Sequence, residues 1–431
     1  MALALSGKDG FYGWVNLAVM FFFNIAFMLM VMSFALFLPF WVGEFSWGRG
    51  LASGAQTLGM ILSGIAAPMV GIFIMKQGAK RAIVIGNLLN AAGLVLLAFM
   101  DRLWHLYLGF GVIVGLGMAI GGMLAMMTIV NNWFILKRPA ALSVAMASMG
   151  FSGIVFNPLL MRLITTLGWR HTYLLIAAAV AVFCVVVPAL LVVNRPEQLG
   201  QVPDGPHALQ ARKAASAGPA DGNPYKTPVD FTAGEAMKTR TMWLLIGYGT
   251  LQFMVMGSLL THQIAFLFDI GIPGTLAAMA AGIFGAVMGV SQLGVGFLGL
   301  RVNMHRLAIL SVIIGIAGYG TLLSAESLAA VILYNILLGC GFGIQSIAMG
   351  NLIPDYFGRT EFPRMMGYSM PFTTILASFG APVAGYIRDA TGSYIPAFQA
   401  SLVLMAASFF CILFARPPVH PSLKRGLHAA P

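Results

Sequence analysis

Apolar residues run almost unbroken through this chain, in stretches of about 20 residues parted by short polar turns. Such runs predict membrane-crossing helices at 15–40, 51–75, 82–100, 105–131, 140–165 and 171–193, then at 241–267, 275–298, 307–325, 328–352, 365–387 and 394–415. One long stretch breaks the pattern: Asn194 to Arg240 is rich in Pro, Gly and charge. The expected fold is an all-α membrane protein, with twelve transmembrane helices in two pseudo-symmetric six-helix bundles. The bundles cover residues 1–193 and 241–431, with 194–240 as a polar seam on the cytoplasmic side. Within the seam, 208–222 reads as flexible linker, and Phe231–Lys238 as a short helix lying on the membrane. The opening MALALSGKDGFYGW shows no cleavable signal, so the first apolar run stays as a span.

The two sides of the seam repeat each other. Gly115-x-Gly117 recurs as Gly339-x-Gly341 and Gly168 as Gly392, each 224 residues on. Trp133-Phe134 recurs as Tyr356-Phe357 at 223, and the loop Gly71–Arg81 as Gly296–Arg306 at 225. One such coincidence is common among membrane helices, where Gly serves packing. Four at nearly one offset, in corresponding loops, indicate a duplicated six-helix unit. Parallel halves with a site between them are a carrier plan.

Composition agrees. The 431 residues are 59% hydrophobic and 9% charged, against about 25% charged in soluble domains. The net charge of +11 is scattered through short loops, which is topogenic charge and not a nucleic-acid patch. With the N-terminus cytoplasmic, only Arg49, Arg102, Arg162, Arg170 and Arg388 of the 24 Lys and Arg residues fall on the far side. Both termini and the seam then lie in the cytoplasm, as expected of a multi-pass protein of the inner (plasma) membrane. Cys184, Cys340 and Cys411 sit in apolar runs, with no metal or disulfide spacing.

The loops Gly71–Arg81 and Gly296–Arg306 resemble the G-x-x-x-D-R-x-G-R-K loop of the major facilitator superfamily. That resemblance marks Gly71, Lys76, Arg81, Gly296, Arg301 and Arg306 as gating-loop positions. The acidic position holds Met75 and Leu300 instead, so an acidic latch is not carried over. Asp9-Gly10-Phe11-Tyr12-Gly13-Trp14 resembles the D-G-x-x-G-W opening of the monocarboxylate transporter family. Trp133-Phe134, Lys137-Arg138, Ala141, Ala145 and Met149-Gly150 resemble its stretch leading into span five. Pro196-Glu197-Gln198-Leu199-Gly200 with Pro203-Asp204-Gly205, and Thr261-His262 with Asp269-Ile270-Gly271, look like the bacterial branch of oxalate–formate exchangers and lactate carriers. The superfamily resemblance spans the whole chain. That branch anchors a substrate carboxylate on an Arg four residues before the glycine of the second loop; Gln292 stands there. The acidic residue one turn earlier corresponds to Met288, and the lysine of oxalate exchangers in span eleven to Thr373.

Ionisable groups inside a membrane are functional candidates, because a midplane charge costs at least ~2.5 kcal/mol. All thirteen Asp and Glu residues are expected in loops, tails or the seam. Arg162 lies near the outer end of span five, where it can snorkel to the interface. His262, in span seven, reads either as a proton-coupling residue or as a helix-packing hydrogen bond near the rim. The uncharged candidates for a substrate cavity are Asn24, Gln252, Gln292, Tyr334, Asn335, Gln345, Tyr368 and Thr373. Any one of them is more often an interhelical hydrogen bond; Gln292 leads because it holds the anchor position and both donates and accepts. Met28, Met30 and Met32 cannot share one helix face. The Gly-rich segments lie mid-span without a following Lys-Ser/Thr, so they read as helix crossings and not as nucleotide loops.

No catalytic constellation, metal set, cofactor motif or nucleotide motif is present in the sequence, and an enzyme is not expected. The expectation is a secondary carrier of small organic acids working by alternating access on a small-molecule substrate. It is proton-coupled or an exchanger, sits in the lipid bilayer, acts as a monomer and has no nucleic-acid partner. The alternatives are an exporter of amphipathic or aromatic compounds and a non-transporting sensor on a carrier fold.

Overall fold

Each apolar run forms a helix, and most of the helices are longer than their runs. The computed structural model describes residues 10–205, 227–325 and 327–422, without the side chains of 149–158 and of some residues at 49–50 and 274–281. The linker reading of 208–222 thus lies outside the described residues. Before the seam come α1 (Gly13–Phe45), α2 (Arg49–Gln77), α3 (Ala79–Ala98), α4 (Leu103–Trp133), α5 (Arg138–Leu167) and α6 (Trp169–Leu191). After it come α7 (Arg240–Asp269), α8 (Gly274–Leu298), α9 (Met304–Leu323), α10 (Leu328–Phe357), α11 (Phe362–Thr391) and α12 (Ile395–Phe414). Among the described residues, ten are long and apolar enough to cross a membrane; α5 and α8, of 30 and 25 residues, complete the twelve. Helices are forced here, because a bilayer offers no partner to an unpaired N–H or C=O. Thr239, Asn303 and Ser327 cap α7, α9 and α10 with side-chain oxygens.

One expectation needs correction. Glu44, Asp269, Asp389 and Asp355, all expected in loops, lie in the last turns of α1, α7, α11 and α10; the first three are exposed, and Asp355, on α10, is buried. The helix continues past the apolar run, through Pro354, until Gly358 ends it at φ 91°. At 1.5 Å per residue, a 30-residue helix outruns a ~30 Å hydrocarbon layer by several residues. Its polar end is therefore covered by protein and not by lipid.

The packing repeats with the sequence. In the first half α1 packs on α5 and α6, α2 on α4, and α3 on α4 and α6. In the second half α7 packs on α11 and α12, α8 on α10, and α9 on α10 and α12. The glycine pairs explain the closeness. A Cβ on Gly115 would lie 2.6 Å from Gly59 Cα, and one on the repeat partner Gly339 would lie 2.6 Å from the Phe284 carbonyl oxygen. Between the halves, α5 packs on α8 and α2 on α11. These two contacts are each other's repeat images.

Candidate functional site

The halves meet at the face that carries most of the Lys and Arg residues. A Cβ on Gly71 would fall 2.5 Å from the Pro363 carbonyl oxygen and 3.2 Å from Arg364 Cα, at the start of α11. One on Gly296 would run into the Ser143 side chain and lie 3.2 Å from Ala140 Cα, at the start of α5; one on Gly299 would lie 3.0 Å from Pro139 Cβ. Pro139 and Pro363 are themselves 224 residues apart. Two glycines of the resembling loops thus seal one face, each against the other half. The basic residues of those loops do not: Lys76, Arg81, Arg301 and Arg306 are exposed, Arg81 of α3 donating to Gln77 at the end of α2 in the same half.

A charged contact backs the seal. Arg138, the first residue of α5, pairs with Asp355 of α10 through Nη2 and Oδ1, with the two side chains 3% and 6% exposed. Arg138 Nε has no hydrogen-bond partner. Asn131, at the matching end of α4, is buried with both amide atoms unpaired. Beside the pair, Arg359 Nη1 donates to the Asn132 carbonyl at 3.0 Å, and Nη2 lies 3.7 Å from Glu197 of the seam.

The seam grips both halves at equivalent loops. Asp204 Oδ2 accepts from the Ile135 and Leu136 N–H groups at 2.9 and 2.8 Å, and Oδ1 from Lys137 N–H at 3.0 Å. A carboxylate there caps the start of α5. Asp230 Oδ2 accepts from Thr360 N–H at 3.1 Å and from its hydroxyl, with Gly358 pressed against the same carboxylate. The opening motif joins this cluster. Phe11 and Tyr12 pack on Trp133 with centroids 5.6 and 5.9 Å apart. The Tyr12 hydroxyl donates to Leu191 O, and Trp133 Nε1 to Val193 O, both at 2.7 Å; burial pushes the Tyr12 phenol up. Within the expected short helix 231–238, Ala233–Met237 is helical and Phe231, Ala233 and Ala236 are buried. Phe231 N–H donates to Phe357 O at 2.8 Å and Ala233 N–H to Glu361 Oε2 at 2.7 Å, so this segment docks on the protein at the base of α10 and α11. Thr232 holds the Glu235 carboxyl below its ordinary range by hydrogen bonds from its hydroxyl and N–H.

The polar residues within the spans fall into separate places. Gln292 is fully buried; its Nε2 donates to Ser346 Oγ at 3.0 Å while Oε1 has no partner. It sits one turn from Gly296, on the same side of α8, near where α5, α8 and α10 meet. Gln345 is buried with Nε2 unpaired. Asn24 donates to Ala145 O at 3.0 Å and Ser148 Oγ at 2.7 Å, tying α1 to α5. Gln252 donates to Ser408 Oγ at 3.0 Å, tying α7 to α12. Tyr334 and Asn335 are brought together by Gln263, a residue the sequence reading passed over, whose Nε2 reaches both. Tyr368 accepts from Arg364 Nε at 3.0 Å, and the Thr373 hydroxyl donates to Met370 O at 3.1 Å; both side chains are half-buried on α11. His262 Nε2 lies 2.9 Å from Ala381 O. A carbonyl only accepts, so that nitrogen carries the proton. The ring lies 5.2 Å from Tyr394. Arg162 is exposed.

Two spans are interrupted near their middles. α4 breaks at Gly122, beside the Phe27 ring, and α11 at Ser378–Phe379, where Gly380 presses on the Met254 carbonyl. Irregular backbone at membrane depth is tolerated where protein or a cavity surrounds it, and broken spans of this kind border substrate sites in carriers.

A duplicated twelve-span bundle sealed at one face by separable contacts is the architecture of a membrane transporter. The sequence model of the Major Facilitator Superfamily matches residues 20–344 and 264–431, and the chain belongs to that superfamily. It is 26% identical over 434 residues to monocarboxylate transporter 13 of Bos taurus, covering 98% of this chain and 95% of that one. It is 27% identical over 430 residues to monocarboxylate transporter 11 of Homo sapiens, covering 96% and 85%. These relatives place the resemblance in the monocarboxylate-transporter branch. Among solved structures, the transporter FucP in its outward conformation matches with a TM-score of 0.72 at 16% identity, covering 94% of this chain and 100% of that one. The proton:xylose symporter XylE matches at 0.73 and 12% identity, covering 94% and 96%. These two show the fold. The chain is thus a multi-pass transporter of small molecules, and its relatives are carriers and not enzymes.

Proposed function

We propose that the chain carries small organic acids across the plasma (inner) membrane by alternating access. Residues 1–193 and 241–431 move as two bodies around the seam 194–240. The face rich in Lys and Arg is cytoplasmic, along with both termini. The observation that carries this reading is the paired seal, Gly71 against Pro363 and Gly296 against Ala140 and Ser143. It has the repeat symmetry that lets two bodies rock apart at one face. The acid class is supported by the monocarboxylate transporters among the relatives. With no Arg at the anchor position, the carboxylate is held by Gln292, whose Nε2 gives one N–H to Ser346 and keeps a second to donate, and by polar groups such as Gln345, Tyr368 and Thr373. His262 is the candidate for proton coupling. The unit is a monomer.

Uptake of radiolabelled mono- and dicarboxylates into proteoliposomes tests this, with and without a pH gradient and with counter-substrate inside. Saturable uptake of at least one acid is expected; none under any condition rejects the organic-acid reading. The apolar residue at Met288 and the neutral Gln292 favour one other reading, an exporter of amphipathic or aromatic compounds. Protection of a pump-deficient host against such compounds, without acid uptake, would select it.

A further inference from the structure

A polar cavity of about 80 Å³ opens at the basic face where the two halves and the seam meet. It is lined by Asn132 from α4, Arg195 and Glu197 from the seam, and Arg359 and Thr360 from the loop after α10. A single water needs about 10–15 Å³ of such space, so the cavity takes a group of several heavy atoms. Its charges are two guanidiniums against one carboxylate. Arg359 is oriented by the Asn132 carbonyl at 3.0 Å, while Glu197 stands 3.7 Å away, within ion-pair range but too far for a hydrogen bond. The Glu197 side chain is 55% exposed and can swing out. Planar guanidiniums with several donors match the oxygens of a phosphate or a similar oxyanion.

We propose that this cavity is a binding site for a phosphate-sized oxyanion, free or as a lipid headgroup, which bridges the two halves and holds the basic face shut. Asn132 and Arg359 belong to opposite halves, so opening that face takes the site apart. The ligand therefore binds the closed form alone and shifts the population toward it. This assignment is independent of what the protein carries.

The test uses the full chain in alkyl maltoside micelles, which contain no phosphate. Inorganic phosphate is titrated at constant ionic strength against chloride while Tm is followed. A saturable rise in Tm is expected. Arg195→Gln should weaken the apparent affinity about tenfold. Glu197→Gln should strengthen it about threefold by removing the competing carboxylate. Both side chains are exposed, so neither change threatens the fold. If phosphatidylglycerol stabilises and inorganic phosphate does not, with the same dependence on the two variants, the ligand is a lipid headgroup and the site stands. No stabilisation by either probe, or stabilisation indifferent to both variants, overturns it. Closure has its own readout: in a chain lacking the native cysteines, the stabilising probe should slow maleimide labelling of Asn131→Cys several-fold. An unchanged labelling rate overturns the claim that the ligand holds the face shut.

Discussion

Arg138 and Asp355 lie 217 residues apart, in opposite halves of the molecule, and bury their charges against each other. Such a pair is a poor source of net stability but costly to break, because the surviving charge is left dry. Asp355→Asn should therefore lower stability by roughly 3–5 kcal/mol, read as a fall in Tm of the purified protein. Combining Arg138→Met with Asp355→Leu should recover most of that loss. A double variant as unstable as the single one would show that the charges do more than face each other.

The two glycine seals should respond differently to the same insult. On Gly71 the obstacle to a Cβ is the Pro363 backbone carbonyl, which no side-chain change can remove. On Gly296 the nearest obstacle is the Ser143 side chain. Gly71→Ala and Gly296→Ala should both impair transport and leave the basic face easier to label. Ser143→Gly should rescue Gly296→Ala, and no trimming of Pro363 or Arg364 should rescue Gly71→Ala. Initial uptake rates of these variants check this.

Much of this was legible in the sequence, and the limits have physical reasons. Lipid demands about 20 apolar residues per span, so the helices and their duplication were written plainly. The seal glycines were visible as repeat images in matching loops. Asp355 was missed because hydropathy stops at a charge, whereas the helix runs on to Gly358 under cover of protein. The grip of Asp204 and Asp230 was invisible because their partners are mainly backbone N–H groups, which leave no trace in residue type. Polarity inside a span marked Gln252, Tyr334 and Asn335 but could not say which way they face. The structure ties them to Ser408 and Gln263 within the second half.

Asp204 should be the more sensitive of the two seam carboxylates, since it caps three consecutive N–H groups. Asp204→Ala should cost about 1–2 kcal/mol. Asp204→Asn should cost less, because the amide keeps one accepting oxygen. Denaturation of each variant in detergent measures the difference; equal stability of Asp204→Ala and the parent would remove the clamp from the account.

Gln292 carries the proposed anion contact. Gln292→Ala should raise the half-saturating acid concentration about tenfold, as expected for a lost hydrogen bond to a charged group. Gln292→Arg should permit acid uptake while altering its pH dependence. Unchanged half-saturation in Gln292→Ala would place the substrate elsewhere.

The central claim is that transport requires the basic face to open between α5 and α10. In a chain lacking native cysteines, Arg138→Cys and Asp355→Cys joined by a short bifunctional maleimide should abolish uptake of any acid the parent carries. The same double variant before cross-linking should retain uptake. Full uptake after complete cross-linking would contradict the account.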